Sequence, residues 1–203
     1  MTAVQPSMRA TRPSEPIDEV AATQAVTDLL TAFGIDLSEE GVRDTPKRVV
    51  ASLREMLTSR PFNLTTFPND EGYDQLILAR SIKFHSLCMH HLLPFVGVAH
   101  VGYLPGERIL GLSKLARVVE MFSRGLQVQE QLTQQIANWL AENLEPKGVG
   151  VIMEAEHLCM SLRGIRQPGT TTVTSALLGR IRTDQRTRSE FLTLAGLHDR
   201  PGV

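Results

Sequence analysis

The chain has 203 residues, of which 42% are hydrophobic and 21% are charged, and its formal net charge is -1. This composition excludes a disordered polymer, and the small net charge excludes a bulk attraction to nucleic acid or membrane surfaces. The sequence has no apolar run of membrane-spanning length, and its N-terminus lacks the apolar centre of a secretory signal. We therefore expect a cytoplasmic protein in which any anion is bound by a local cluster of basic residues.

The N-terminal part of the chain is predicted to be a tail followed by helices. The tail mixes Pro, Ser, Thr and single charges without periodicity, which is typical of disorder. Apolar stripes at helical spacing predict one helix from Ile17 to Phe33 and a second helix that Thr45 caps and Pro46 opens. These assignments divide the chain into a disordered tail at 1–16, a helical segment at 17–60 and a main domain at 61–203.

The main domain is predicted to contain strands that follow one another along the chain. Apolar and β-branched runs bounded by turn residues predict strands at 76–84, 95–104, 149–162 and 170–181. Helical spacing predicts three helices in this domain. The first has Ser113 as its N-cap, the second begins at about Gln129, and the third runs from Asp184 to Leu194. Because strands do not alternate regularly with helices, we expect an α+β fold with an antiparallel sheet and helices packed on one face.

Both cysteines of the chain lie close to histidines. Cys88 precedes His90 and His91, and His157 lies two residues before Cys159. Cys88 and His91 can reach one ion from a single turn, and alternate residues of a strand share a face. A lone cysteine or histidine is more often a packed or hydrogen-bonded residue, so the two pairs together indicate a metal site. Thiolate and imidazole ligands favour zinc.

The number of ligands distinguishes a structural zinc site from a catalytic one. A structural zinc has four protein ligands, whereas a catalytic zinc keeps one position for water. Cys88, His91 and Cys159 would form a three-ligand site, with His90 and His157 beside it as proton donors or acceptors. The sequence leaves open whether His90 or His157 is a fourth ligand.

Basic residues near these positions predict a phosphate site. Lys114 and Arg117 share a helix face close to the predicted helix N-terminus, where anions are stabilised. Arg163 falls on the same face of the predicted strand as His157 and Cys159. The alternative for Lys114 and Arg117 is a pair of solvated surface charges. Glu130 either favours the helix dipole or accepts hydrogen bonds from an amide and amine edge such as that of guanine.

Several separated segments, in order, resemble the type I GTP cyclohydrolase family. They are FHSLCMHHLLPFVGVAHVGYLP, GLSKLARVVE, LQVQEQLTQQIA and EHLCMSLRGIRQPGTTTVTS, preceded by GVRDTPKRVV. The resemblance covers about Ile17 to Leu194 and implies the tunnelling fold for a catalytic domain at 61–203. It also implies a homodecamer or other ring oligomer with active sites at subunit interfaces. The implied reaction converts GTP and water to 7,8-dihydroneopterin triphosphate and formate, the first step toward tetrahydrofolate and pterins.

The resemblance implies a role for each matching position. It implies that zinc, which activates the attacking water, has the ligands Cys88, His91 and Cys159. The implied catalytic side chains are His90, His157 and Ser113. The implied contacts to the triphosphate are Lys114, Arg117, Arg163 and, from a neighbouring subunit, Arg48. The implied contacts to the guanine edge are Gln129 and Glu130.

A few positions depart from the family pattern. Met89 stands where Glu is usual, Gly125 and Leu126 replace a common Arg-Pro pair, and Gln131 replaces a common Arg. These departures leave two alternatives open, a paralogue in a specialised pterin or deazapurine pathway and a zinc-binding relative without turnover. A zinc nucleobase deaminase is disfavoured, because the sequence lacks the His-x-Glu and Pro-Cys-x-x-Cys runs of that class.

Overall fold

A computed structural model describes residues 8–10 and 16–196 of the chain. The contacts divide the described residues into two units, one formed by 16–58 and the other by 8–10 together with 59–196. Among the described residues, no helix combines the length and the apolar character that crossing a membrane requires.

The first unit is a pair of helices, α1 at Glu19–Ala32 and α2 at Thr45–Leu57. The carboxylate of Asp18 caps α1 by accepting a hydrogen bond from the Ala21 N–H at 2.9 Å. The N-cap of α2 is Asp44 rather than Thr45, and Pro46 lies in the first turn, where its missing N–H leaves no bond unmade. The two predicted helices are therefore confirmed to within a few residues.

The second unit is built on a five-stranded sheet. Its long strands are β4 at Ile77–Cys88, β5 at Pro94–Leu104, β8 at Gly148–His157 and β9 at Thr171–Leu178. These four strands are antiparallel neighbours, and the short strand β7 at Leu126–Gln127 runs parallel to β4 at the edge. The predicted α+β class with an antiparallel sheet is confirmed.

Four short strands lie outside this sheet. Strand β1 at Met8–Ala10 pairs with β2 at Phe62–Leu64, and β3 at Thr66–Pro68 pairs with β6 at Arg108–Leu110. The predicted disordered tail thus contains one paired strand at residues 8–10. Most of the remaining tail lies outside the described residues.

Two amphipathic helices cover one face of the sheet, α3 at Leu112–Ser123 and α4 at Gln129–Leu144. The fully buried residues Leu132, Ile136 and Leu140 of α4 belong to the same core as Val149 and Val151 of β8. Alternate residues of a strand point to opposite faces, so the next position along β8 faces away from α4.

The C-terminal helices pack on that other face. Helix α6 spans Gly179–Thr183, and α7 spans Gln185–Leu194 after an N-cap at Asp184. The ring of Phe191 lies against Gly150 of β8, in a second small core that also contains Ile152 and Ile181. Helices thus cover both faces of the sheet's central strands.

Several predicted boundaries are wrong, and the ends of β8 and β9 have a local cause. The strand predicted at 149–162 ends at His157, because Leu158–Ser161 form a helical turn, α5. The strand predicted at 170–181 ends at Leu178, where Gly179 adopts a φ of +56° and starts α6. The N-cap of α3 is Gly111, so Ser113 lies inside the first turn and does not cap the helix.

Candidate functional site

A tight turn after β4 presents the first half of the cysteine and histidine cluster. The N–H of Cys88, the last residue of β4, donates to the Leu93 carbonyl at 2.9 Å, and the Cys88 carbonyl accepts from the Leu92 N–H at 2.9 Å. Leu92 adopts a φ of +55°, which lets the chain reverse within four residues. The reversal brings His91 back toward Cys88, and their Sγ and Nδ1 atoms lie 3.7 Å apart.

The second half comes from the end of β8. The strand stops at His157, and the helical turn α5 directs Cys159 toward Cys88 with a distance of 4.0 Å between the two Sγ atoms. The interpretation of residues 157–163 as alternating positions on one strand is therefore wrong. His157 and Cys159 still meet, because one ends the strand and the other lies in the first turn of the helix that follows.

The donor set fits a zinc ion. The ligand atoms of Cys88, His91 and Cys159 all lie within 4.8 Å of one another, and they form the metal-type cluster found among the described residues. Tetrahedral zinc with Zn–S bonds of about 2.3 Å places two sulfurs about 3.8 Å apart, close to the 4.0 Å between these thiols. His90 lies 3.8 Å from Cys88 through Nδ1 but is not part of this mutually close set.

His157 is fixed on two sides. Its ring stacks on the fully buried Phe95, with centroids 4.6 Å apart and planes 2° apart, because the sheet register places the two residues opposite each other. Its Nε2 lies 2.8 Å from the Oε1 of Gln129. The sequence does not predict that Phe95 belongs to the site or that Gln129 pairs with His157. The one feature of the sequence that points to Phe95 is its position directly after Pro94, at the start of the strand.

Gln129 is itself held in place by hydrogen bonds within the protein. Its Nε2 lies 2.9 Å from the Thr172 carbonyl, 3.1 Å from the Met153 carbonyl and 3.1 Å from Oγ1 of Thr174. Carbonyls only accept, so the amide nitrogen must face them and the amide oxygen must face His157. The ring nitrogen Nε2 of His157 therefore carries a hydrogen and donates it. Contact between Gln129 and guanine remains a prediction.

Burial and neighbouring charges change the pKa values at this site. Burial lowers the pKa of His157, and the charge of Glu130 partly opposes that change. Burial also raises the pKa of the Cys159 thiol, and the adjacent Cys88 raises it further, whereas Arg163 lowers it. A buried thiol that resists ionisation, as Cys159 does here, is stabilised in its charged form by a bound cation.

A cavity of about 310 Å³ joins these groups. The predicted site residues that line it are Cys88, His90, His91, Gln129, Glu130, His157 and Cys159. Glu130 is exposed in the first turn of α4, so its carboxylate is free to accept hydrogen bonds from a ligand in the cavity. The cavity thus combines three candidate metal ligands, two further histidines and an acidic acceptor.

Of the predicted phosphate contacts in this unit, Lys114, Arg117 and Arg163 are not among the residues that line the cavity. Arg117 of α3 forms an ion pair with Glu120 at 3.1 Å, and the ammonium of Lys114 lies 6.0 Å from the ring centroid of Phe62. Ser113 is exposed in the first turn of α3. Arg163 is exposed immediately after α5 and acts on Cys159 through its charge.

Arg48 belongs to the helical unit and is described there alone. Its guanidinium donates to the Gly41 carbonyl at 3.1 Å and to Oγ1 of Thr45 at 3.0 Å, and it is exposed. These local bonds hold the side chain beside the start of α2. Its predicted contact with a triphosphate remains a prediction.

An α+β domain whose cavity holds a Cys-His-Cys cluster and a positioned histidine has the features of a metal-dependent enzyme. Residues 22–196 match the family model described as GTP cyclohydrolase I. The chain belongs to the GTP cyclohydrolase I family, as the resemblance of its motifs predicts.

Curated relatives agree with this assignment over nearly their full lengths. The chain is 50% identical to the GTP cyclohydrolase 1 of Sulfurihydrogenibium sp. over 90% of this chain and 97% of that protein. It is 50% identical to GTP cyclohydrolase 1 of Aquifex aeolicus over 88% of this chain and 97% of that protein. It is also 50% identical to that of Streptomyces avermitilis, over 87% and 90% respectively. The chain is therefore an enzyme with GTP cyclohydrolase activity and GTP as its substrate.

Proposed function

We propose that this enzyme converts GTP and water to 7,8-dihydroneopterin triphosphate and formate at a zinc ion held by Cys88, His91 and Cys159. The observation that supports the proposal is the convergence of these three ligand atoms within 4.8 Å, at a cavity that also contains His90, His157 and Glu130. The product is the first intermediate toward tetrahydrofolate and pterins.

The protein side chains divide the chemistry between them. Zinc in such a site supplies Lewis acidity that favours ionisation of water. His90 lies beside Cys88 without belonging to the ligand set, so it transfers protons during opening of the imidazole ring of guanine. His157 is the second proton-transfer group, and its stacking on Phe95 and its bond to Gln129 fix the ring.

Substrate recognition combines one acidic group with several cations. The Glu130 carboxylate accepts hydrogen bonds from the N1–H and amino group of guanine, and Gln129 supports this edge. The triphosphate contacts the proposed cations Lys114, Arg117, Arg163 and Arg48, and Ser113 acts in the later rearrangement of the ribose. Since Lys114 and Arg117 lie outside the cavity of their own chain, they support a ring oligomer, usually a homodecamer, with sites shared between subunits.

A cytoplasmic location is part of the proposal. The substrate is a cytoplasmic nucleotide, and the two site cysteines must remain reduced to bind zinc. Both are free thiols in the structure.

Incubation of the zinc-loaded oligomer with GTP tests the reaction. Formate and a pterin that becomes fluorescent after oxidation are expected in equal amounts. An intact, zinc-replete oligomer that releases neither product would refute the proposed function.

Two substitutions separate zinc ligation from proton transfer. We expect Cys88→Ser to lose zinc, since it removes one of three ligands, whereas His90→Ser keeps zinc and loses turnover. Zinc content is measured by elemental analysis of the purified oligomer, beside the rate of formate release. Loss of zinc from His90→Ser would show that the ligand assignment is wrong.

A further inference from the structure

The loop at residues 162–170, hereafter the arginine loop, connects α5 to β9 and carries Arg163 and Arg166. All nine of its residues are exposed. Gly164, Arg166 and Gly169 adopt φ values of +63°, +52° and +81°, so the loop is not a continuation of either neighbouring element. Backbone N–H groups of Arg166, Gln167 and Thr170 donate hydrogen bonds within the loop or to α5. With so little buried surface, the loop also depends for its shape on the contacts at its two ends.

A single carboxylate contacts both ends of this loop. Oε1 of Glu156 accepts a hydrogen bond from Oγ of Ser161 at 2.6 Å and another from the N–H of Gly169 at 3.0 Å. Ser161 is the last residue of α5, directly before the arginine loop, and Gly169 is its penultimate residue. One oxygen atom thus joins the start and the end of the loop.

The carboxylate is suited to this contact. Glu156 lies in β8 opposite Thr171, the first residue of β9, so the strand holds it beside the point where the loop returns to the sheet. The hydroxyl of Ser161, followed by the N–H of Gly169, holds the pKa of Glu156 below its ordinary value. The group is therefore ionised at neutral pH, and its hydrogen bonds are of the stronger, charge-assisted kind.

We propose that Glu156 is a positioning residue that holds the arginine loop so that Arg163 meets the triphosphate of GTP. This inference rests on the proposed function, in which Arg163 is a triphosphate contact. It is supported by the position of Arg163 along the chain, two residues after Ser161, which donates to Glu156, and four residues after Cys159 of the metal-type cluster. Glu156 acts through the loop and touches neither substrate nor metal.

A negative charge near a polyphosphate site has a second possible effect of opposite sign. If Glu156 were only a surface charge, its removal would reduce repulsion of the anionic substrate and lower the KM for GTP. If it holds the loop, its removal releases Arg163 and raises the KM. The sign of the change in KM therefore separates the two roles.

The test compares three variants with a matched control. Glu156→Ala removes charge and acceptor, Glu156→Gln keeps an acceptor oxygen without the charge, and Ser161→Ala removes one donor. The control is Glu154→Ala, because Glu154 lies two residues earlier on the same strand face and accepts from Oγ1 of Thr171 instead. Glu156→Ala removes one carboxylate with its hydrogen bonds to Ser161 and Gly169, and the control removes one carboxylate of the same strand with its hydrogen bond to Thr171.

We expect Glu156→Ala to raise the KM for GTP about tenfold, while kcat changes less than about twofold. A tenfold change is equivalent to the loss of one charge-assisted hydrogen bond between Arg163 and the triphosphate. Glu156→Gln and Ser161→Ala should raise the KM by smaller factors. The control Glu154→Ala should leave the KM unchanged or lower it slightly. An unchanged or lowered KM in Glu156→Ala with wild-type zinc content would overturn the proposal.

Limited trypsin digestion gives a readout that does not depend on activity. The intact oligomer is digested, and mass spectrometry of the fragments measures cleavage after Arg163 and Arg166. This cleavage should be several-fold faster in Glu156→Ala than in Glu154→Ala. Equal cleavage rates would contradict the positioning role even if the wild-type enzyme turns over GTP. Absence of product from the wild type together with faster cleavage would refute the proposed function but retain the loop contact. If Glu156→Ala does not fold, Glu156→Gln and Ser161→Ala decide by the same two measurements.

Discussion

The substitution Gln129→Ala tests the link between a buried amide and His157, the histidine proposed to transfer protons. Gln129 is 1% exposed, and its oxygen lies 2.8 Å from Nε2 of His157. On the other side its nitrogen has three acceptors within 3.1 Å, of which two can be served at once because the amide has two hydrogens. Truncation to Ala therefore removes about three hydrogen bonds.

The size of the effect follows from these bonds. Each intramolecular hydrogen bond contributes about 1 kcal/mol net, which gives about 3 kcal/mol lost from the free energy of unfolding. Met153 and Thr172 lie on the paired strands β8 and β9, so among these bonds the one to Nε2 of His157 is the bond that acts on the proposed catalytic ring. Without its partner the ring loses its fixed orientation, and we expect kcat to fall by about tenfold to a hundredfold.

Gln127→Ala is the matched control. Gln127 is also buried, at 2% exposure, and its Nε2 donates to the Phe122 carbonyl at 2.8 Å and to Oε1 of Gln135 at 3.1 Å. Its loss should cost about 2 kcal/mol of stability without disturbing His157. Urea unfolding at one fixed protein concentration and steady-state kinetics measure both effects. If the two variants lowered kcat equally, the orienting role of Gln129 would be refuted.

Two further predictions concern the face of the sheet covered by the C-terminal helices. A Cβ at Gly150 would lie 2.7 Å from the Phe191 ring, so Gly150→Ala should cost about 1–3 kcal/mol in thermal unfolding, and Phe191→Leu in the same chain should restore part of it. Asp184→Asn should destabilise α7 at pH 7, because bonds from the Thr187 hydroxyl and the Arg186 N–H hold the pKa of Asp184 below its ordinary value of 3.8. Since a carboxyl with a lowered folded-state pKa stabilises the fold above its ordinary pKa, the difference between Asp184→Asn and wild type should shrink as the pH falls below 3.8, and a difference that persisted would contradict this reasoning.

Local chemistry explains which features can be predicted from the sequence. The apolar spacing of α4, the cap at Asp184 and the convergence of Cys88, His91 and Cys159 depend on residues near one another in sequence or on strongly constrained ligand chemistry. The prediction of α4 as a helix depends only on its apolar periodicity. The prediction of a metal site depends only on a fold that brings the two cysteine and histidine pairs together.

Other features depend on register and on turn geometry, which short-range patterns do not encode. Residues 158–162 are apolar enough to continue a strand, yet the chain turns into α5 because the sheet pairing ends at His157. The stacking of Phe95 on His157 follows from the pairing of β5 with β8. The contact of Glu156 with the Gly169 N–H spans 13 residues and requires the left-handed turns of the arginine loop.

The position of Met89 shows why one departure from the family pattern leaves the metal ligands in place. Its side chain is 41% exposed and is not among the groups that line the cavity. Its backbone N–H donates to the Gln127 carbonyl at 3.1 Å, which ties the turn after β4 to β7. Any residue except proline can donate a backbone hydrogen bond. Methionine in place of glutamate therefore preserves the hydrogen bond to the Gln127 carbonyl, in the turn that carries Cys88 and His91. The exchange therefore alters an exposed side chain of the turn and leaves the Cys-His-Cys set unchanged.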